Sequence, residues 1–325
     1  MAQQSKYSEG WLGLEQALGM RPILKGSALE MRKQYNELGR VLASQSPSPS
    51  TAVQAADRDV DGLKLRIYTP THVGSGELLP IGVFAHAGGL VMGDIDSEDT
   101  LCRAVAEKTP SIIISVNYRL APEHKSPAQL EDMANALRWA YGNASVFGGD
   151  RSKLFTIGTS AGGGLALAIS RMTLLGQSSL PKDAVKGVVA LAPVTMYPAK
   201  VPKKWAHRYL SYFENGEDVP IINRSAIDEL FTAAVVREAG EKFFVGLDES
   251  THRLFPPTYI VTCGVDPLRD DGAILAESFK FNGVKVKYDT YEGLPHMFWM
   301  FPSLPETSAF MSKLLDGVNY VLQKL

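Results

Sequence analysis

The chain has 325 residues, 45% of them hydrophobic, with 33 Lys+Arg against 35 Asp+Glu and a net charge of −2. That length buries a large core, and the near-neutral balance excludes the basic footprint of a nucleic-acid binder or of a protein drawn to an anionic membrane. The two cysteines, Cys102 and Cys263, form no disulfide framework and suit a reducing compartment, both as small core residues.

Residues 1–10 are polar and carry no apolar signal segment. No apolar run approaches the ~20 residues that span a bilayer. The cytoplasm is the expected compartment; the end Gln323-Lys324-Leu325, one residue from a Ser-Lys-Leu address, leaves the peroxisome as the alternative.

Residues 11–44 are predicted helical, with apolar faces supplied by Leu12, Leu14, Leu18, Leu24, Leu29, Met31, Tyr35, Leu38 and Leu42 and a break at 19–22. A Ser/Pro linker follows at 44–50, then an alternating segment at 63–68 and a turn-rich connection at 69–76. From residue 80 short runs, most of them apolar throughout, predict strands at 81–85, 112–116, 154–157, 187–191, 259–263 and 285–290. Helices are predicted between and after them near 97–108, 127–141, 161–175, 268–281 and 306–323. Such runs separated by helices indicate an α/β fold with a mostly parallel sheet covered on both faces.

One interval breaks the rhythm. Nearly 70 residues separate the strands at 187–191 and 259–263, far more than a crossover needs. They contain Trp205, Tyr209, Tyr212, Phe213 and a helical stretch near 224–238. We read 198–245 as an inserted helical cap packed with the N-terminal segment 1–50, and 51–197 with 246–325 as the core.

The strand at 154–157 runs into Gly158-Thr159-Ser160-Ala161-Gly162, which opens a helix of small residues. This G-x-S-x-G turn lifts a serine hydroxyl onto a strained corner at the top of a sheet, and glycine lets the backbone pass close by. The first amides of the helix are free to meet developing negative charge. Taken alone, the pentapeptide equally fits a glycine-rich turn without chemistry.

Four further segments lie at strand ends. His86-Ala87-Gly88-Gly89 follows 81–85 and is either a tight turn or a source of inward backbone donors, each worth about 3 kcal/mol to an oxyanion. Tyr118 to His124 follows 112–116, and its charged residues are expected to brace loops beside the sheet. Asp266-Pro267-Leu268 follows 259–263; it is a helix cap or a buried acid that orients an imidazole, with Asp270 as the competing acid. Gly293-Leu294-Pro295-His296 follows 285–290, where sites in open α/β sheets gather. His72, His124, His207 and His252 are expected to be structural or exposed.

The order Ser160, Asp266, His296 is nucleophile, acid, base. Serine needs a base to take its proton, histidine titrates near working pH, and the aspartate fixes the imidazole tautomer.

Together these segments resemble the hormone-sensitive-lipase-like branch of the α/β-hydrolases, over a stretch from about residue 80 to the end. The branch carries His-Gly-Gly-Gly, Tyr-Arg-Leu-Ala-Pro-Glu, Gly-Asp-Ser-Ala-Gly-Gly, Asp-Pro-Leu and Gly-x-x-His. The resemblance implies an α/β-hydrolase fold with a helical cap and the triad Ser160, Asp266 and His296. It implies backbone oxyanion donors at Gly88, Gly89 and Ala161, with His86 bracing their loop. Three positions depart from the pattern: Ala87 stands for a glycine, Thr159 for an acid and Gly164 for an asparagine. The chain also resembles fungal members that act on secondary metabolites.

The implied activity is hydrolysis of a small or medium carboxylic ester, with a small-molecule partner, no metal and no cofactor. Leu90, Trp205, Tyr209 and Trp299 are the expected pocket residues. A biosynthetic cyclase using the same triad and a non-catalytic receptor, as in plant gibberellin receptors that have lost the histidine, are the rival readings. A homodimer is left open.

Overall fold

The computed structural model describes residues 6–45, 48–74 and 76–323, side chains at 238, 239 and 241 excepted. Residues 46 and 47 of the expected linker, the first five residues and the last two of the Gln-Lys-Leu end lie outside the described residues. Along the chain the elements are α1 (Glu9–Leu18), α2 (Ala28–Gln45), β1 (Val53–Val60), β2 (Leu63–Pro70), β3 (Leu79–Ala85), α3 (Asp99–Lys108), β4 (Ile112–Val116), α4 (Ala128–Asn143), β5 (Gly149–Thr159) and α5 (Ala161–Leu174). There follow β6 (Val185–Leu191), the short α6 (Ser211–Glu214), α7 (Arg224–Ala234), α8 (Val236–Ala239), β7 (Thr258–Val265), α9 (Arg269–Phe281), β8 (Val286–Pro295) and α10 (Pro305–Leu322).

Eight strands form one sheet in the order β1-β2-β4-β3-β5-β6-β7-β8, in which β2 runs antiparallel to both neighbours and the remaining pairs are parallel. The five predicted core helices and six predicted strands are all present, which makes the fold the expected α/β architecture. The strand β1 has no counterpart in the prediction. It pairs with β2 through the two-residue turn Asp61-Gly62, where φ is 52° and 83°. Such a turn needs positive φ at both positions, and Asp-Gly supplies it. The predicted helix at 224–238 is interrupted at Val235, whose φ of 54° ends α7 before α8 begins.

Strands β4 and β7 are buried along their whole length, because helices cover both faces. Edge strand β8 is half-buried over most of its length. Close packing leaves no space for some side chains: a Cβ on Gly187 would lie 2.1 Å from Val321 of α10. Of the two cysteines, Cys102 lies in α3 and Cys263 in β7, both buried and free.

The N-terminal segment and the segment between β6 and β7 are joined to one another. Ile23 bridges Ile221; the Leu24 amide donates to the Ile221 carbonyl at 2.9 Å, and the Ile221 amide to Pro22 at 2.7 Å. The Arg21 guanidinium meets Asp218 at 2.9 Å, and the Ala28 amide donates to Glu229 at 3.0 Å. On its other side α2 is tied to the sheet end by Arg32, which donates to the carbonyls of Val91 and Ala121 and pairs with Glu123.

Candidate active site

Strand β5 delivers Ser160 to a corner that only close backbone packing can hold. Its φ of 57° and ψ of −122° are strained for a serine. The Ser160 amide donates to the Leu191 carbonyl at 2.7 Å, while its own carbonyl accepts the Gly164 and Val194 amides at 3.0 and 3.2 Å. A Cβ on Gly162 would stand 2.1 Å from the Ala85 carbonyl oxygen, so the helix can start this close to β3 only with glycine there.

The structure brings Ser160, Asp266 and His296 together. Nε2 of His296 is 2.9 Å from the Ser160 hydroxyl, and Nδ1 is 2.7 Å from Asp266 Oδ2. An Asp266 carboxylate accepting from Nδ1–H leaves Nε2 as the acceptor that faces the hydroxyl. The second carboxylate oxygen accepts the Leu268 amide at 2.8 Å, and Asp266 is fully buried. Asp270 is engaged elsewhere: it accepts the Leu210 and Ser211 amides at 2.7 and 2.6 Å and pairs with Arg269.

Gly88 and Gly89, with φ of 122° and 61°, border the same small cavity as Ser160. Ala161 occupies the first position of α5, where an amide has no helical partner. Ala87 is buried and has no positive φ, so its methyl is accommodated where the family has glycine. His86 stacks on Tyr118 with centroids 4.0 Å apart, and the Tyr118 hydroxyl donates to the His86 carbonyl at 2.8 Å. Burial holds the His86 imidazole down to about 4, so it is neutral at physiological pH. The Tyr118 segment therefore supports the glycine loop, and its neighbour Arg119 grips Asp132 and Glu131.

Two buried carboxyls escaped the sequence reading. Glu98 accepts the Ala87 amide at 2.7 Å, and burial pushes its carboxyl up to about 7. The Thr159 hydroxyl lies close enough to favour the charged form, without well-formed hydrogen-bond geometry. Asp271 accepts the Thr195 and Met196 amides and the Tyr209 hydroxyl, and burial again raises it to about 7. Both sit among acids that read as exposed helix-start residues, and no sequence signal separates them.

The cavity beside Ser160 encloses about 30 Å³ and is apolar, with Leu24, Ile222, Leu230 and Phe231 among its walls. The four residues expected to line it do not. Leu90 is turned into the core, its carbonyl accepting the Ala121 amide. The Trp205 indole donates to Glu249, and Tyr209 is spent on Asp271. Trp299 stacks on Phe310 and faces a second, larger cavity next door. The inserted segment reaches the site through aliphatic residues and Phe231 instead of through Trp205 and Tyr209, because those two polar-tipped rings have hydrogen-bond partners of their own away from it. Of the other histidines, His252 is a core residue held by Ser278 and the Val245 carbonyl, and His72, His124 and His207 are exposed. Among the described residues no cluster of His, Cys, Asp and Glu could hold a metal ion, and no helix is long and apolar enough to cross a membrane.

A family model described as the alpha/beta hydrolase fold matches residues 82–300. The chain belongs to the α/β-hydrolase fold family. This hydrolase is 39% identical over 320 residues to the versiconal hemiacetal acetate esterase of Dothistroma septosporum, an alignment that covers 98% of this chain and 96% of that one. It is 33% identical over 265 residues to a carboxylesterase of Mycobacterium tuberculosis, with 76% of each chain covered. The crystal structure of vibralactone cyclase superposes with a TM-score of 0.86 at 25% identity, covering 98% of this chain and 96% of that one. With esterases of this likeness among its relatives, the α/β-hydrolase is a carboxylesterase-type enzyme, similar to fungal members of secondary metabolism.

Proposed function

We propose that the enzyme cleaves a short-acyl carboxylic ester through an acyl-serine intermediate, as its hormone-sensitive-lipase-like motifs suggest. The observation that carries this reading is the hydrogen-bond chain from Ser160 through His296 to Asp266, at 2.9 and 2.7 Å, opening on an apolar cavity. Ser160 Oγ attacks the ester carbonyl as its proton passes to His296 Nε2. The carbonyl oxygen becomes an oxyanion, for which the amides of Gly88, Gly89 and Ala161 are the proposed donors. His296 then protonates the leaving oxygen as the C–O bond breaks. Water, deprotonated by the same nitrogen, hydrolyses the acyl-serine. Asp266 stabilises the imidazolium in both half-reactions.

A cavity of about 30 Å³ takes an acetyl group and little more, and three of the relatives are named as acetate esterases. We further propose that residues 198–245 and the N-terminal helices act as the cap, and that the enzyme works in the cytoplasm, where its two free cysteines stay reduced.

Hydrolysis of p-nitrophenyl esters from acetate to decanoate, with Ser160→Ala beside wild type, tests the reading. Turnover should fall with chain length and drop on the order of 10⁴–10⁶-fold in the variant. A folded protein that turns over none of these esters overturns it. The likeness to vibralactone cyclase favours one second reading, a cyclisation driven by His296 alone, which would survive loss of the Ser160 hydroxyl.

A further inference from the structure

The glycine loop after β3 is a run of three peptide groups, each held by at least one end. In the first, between His86 and Ala87, the carbonyl accepts the Tyr118 hydroxyl at 2.8 Å and the amide donates to Glu98 Oε2 at 2.7 Å. In the second, the Ala87 carbonyl accepts from His86 Nδ1–H at 2.7 Å. In the third, the Gly88 carbonyl accepts the Val91 and Met92 amides at 3.0 and 2.9 Å. The opposite ends of the second and third groups are the Gly88 and Gly89 amides. Among the described residues neither of these donates to a backbone carbonyl.

Glu98 directly precedes α3, yet its carboxyl makes no capping bond to that helix. Burying a carboxyl costs free energy, and here no capping bond offsets it. Its one well-formed hydrogen bond goes to the loop instead, and its second oxygen, Oε1, is buried near the hydroxyl of Thr159, the residue before the nucleophile. We propose that Glu98 is a positioning residue: it fixes the tilt of the His86–Ala87 peptide and thereby aims the Gly88 and Gly89 amides at the oxyanion. The inference rests on the esterase reading and deepens it with a residue outside the triad and the donors themselves.

A peptide group is planar, so a hold on its carbonyl alone leaves the plane free to swing about that bond. Tyr118 on the carbonyl and Glu98 on the amide grip opposite ends of one plane and stop the swing. The two glycines cannot supply that restraint. Their φ values of 122° and 61° lie where glycine moves freely, so their direction is inherited from the groups held before and after them. Aim matters because an oxyanion donor works only when it is preorganised within hydrogen-bond reach of the developing charge. The grip needs an oxygen and not a charge. Burial pushes the Glu98 carboxyl up to about 7, and in either protonation state an oxygen remains to accept the Ala87 amide.

The test uses the full chain and three variants on p-nitrophenyl acetate. Glu98→Leu removes the acceptor, Glu98→Asp withdraws it by one methylene, and Glu98→Gln keeps an oxygen at the same reach. In the Leu and Asp variants kcat should fall by roughly thirtyfold or more while KM stays within about threefold, because the aimed amides act on the transition state more than on the bound ester. Glu98→Gln should restore kcat to within about threefold of wild type. A residue that only holds the fold together would lower the urea midpoint and leave kcat of the folded protein intact. That outcome, or a Gln variant as slow as the Leu variant, overturns the proposal while the esterase reading stands. Where Glu98→Leu does not fold, the Asp and Gln variants decide by the same comparison. If wild type hydrolyses no ester, the esterase reading fails instead, and amide hydrogen exchange over residues 86–89 decides the grip. Exchange faster by roughly tenfold in Glu98→Asp than in wild type and Glu98→Gln supports it, and equal rates in all three overturn it.

Discussion

Asp271 holds Thr195: one carboxylate oxygen takes the Thr195 amide at 2.8 Å, and the Asp271 carbonyl takes the Thr195 hydroxyl at 2.8 Å. This double tie fixes the chain leaving β6 against the start of α9, so the wall residue Val194 and the acid-bearing loop at Asp266 share one anchor. Burial raises the carboxyl to about 7 despite the amide donors. A raised acid keeps its proton in the folded state while the unfolded chain loses its own near the ordinary value, so the contribution to stability falls as pH rises between about 4 and 7. Asp271→Asn keeps the acceptor oxygen and removes the titration. Its stability relative to wild type should rise across that window, read from urea midpoints at pH 4.5 and 7.5; a constant difference contradicts the assignment. Glu98 adds a term of the same sign and His86 one of opposite sign in wild type, which is why the difference is the measured quantity.

The two candidate acids separate kinetically. Asp266→Asn should lower kcat on p-nitrophenyl acetate by on the order of 10⁴-fold, because the imidazole loses its tautomer and its charge partner. Asp270→Asn should keep kcat within a few-fold. Equal losses would mean that the geometry at His296 does not assign the acid.

Gly164, where the hormone-sensitive-lipase-like pattern has asparagine, is closely packed. A Cβ there would lie 2.6 Å from the Val194 carbonyl oxygen and 3.1 Å from the Phe243 ring. Gly164→Ala should destabilise the protein by about 1–3 kcal/mol through overpacking. An unchanged denaturant midpoint would show that the Val194 segment yields.

Tyr118→Phe removes the hydroxyl that donates to the His86 carbonyl while keeping the stacked ring. The buried carbonyl is left without that partner, at about 1–3 kcal/mol. Because that carbonyl belongs to the glycine loop, kcat should fall more than KM changes. A pure stability loss with intact kcat would make the tyrosine a core residue only.

The sheet was legible because most of its runs are apolar throughout and are separated by helical stretches. The turn at Asp61-Gly62 carried a hairpin signal for β1, yet the strand itself reads as charged, with Asp57, Arg58 and Asp59 in its middle. The triad residues stand out because each follows a strand. The cavity walls do not, since Leu24, Tyr35 and Leu230 are ordinary helix or loop apolar residues brought together from distant segments. Trp205 and Tyr209 drew attention by size, but their polar tips were satisfied elsewhere. Buried acids such as Glu98 and Asp271 look solvated in sequence, because burial is a property of the packed neighbours and not of the residue.

The bridge between Ile23 and Ile221 ties together the two segments that wall the cavity beside Ser160. Leu24 and Tyr35 come from one side of that bridge, Ile222 and Leu230 from the other. A chimera that exchanges the first 45 residues alone between relatives would pair mismatched halves, whereas moving both pieces together would transplant acyl preference onto an unchanged catalytic sheet. On the proposed reading, acyl selectivity is set by two segments that lie far apart in the sequence and meet in the fold.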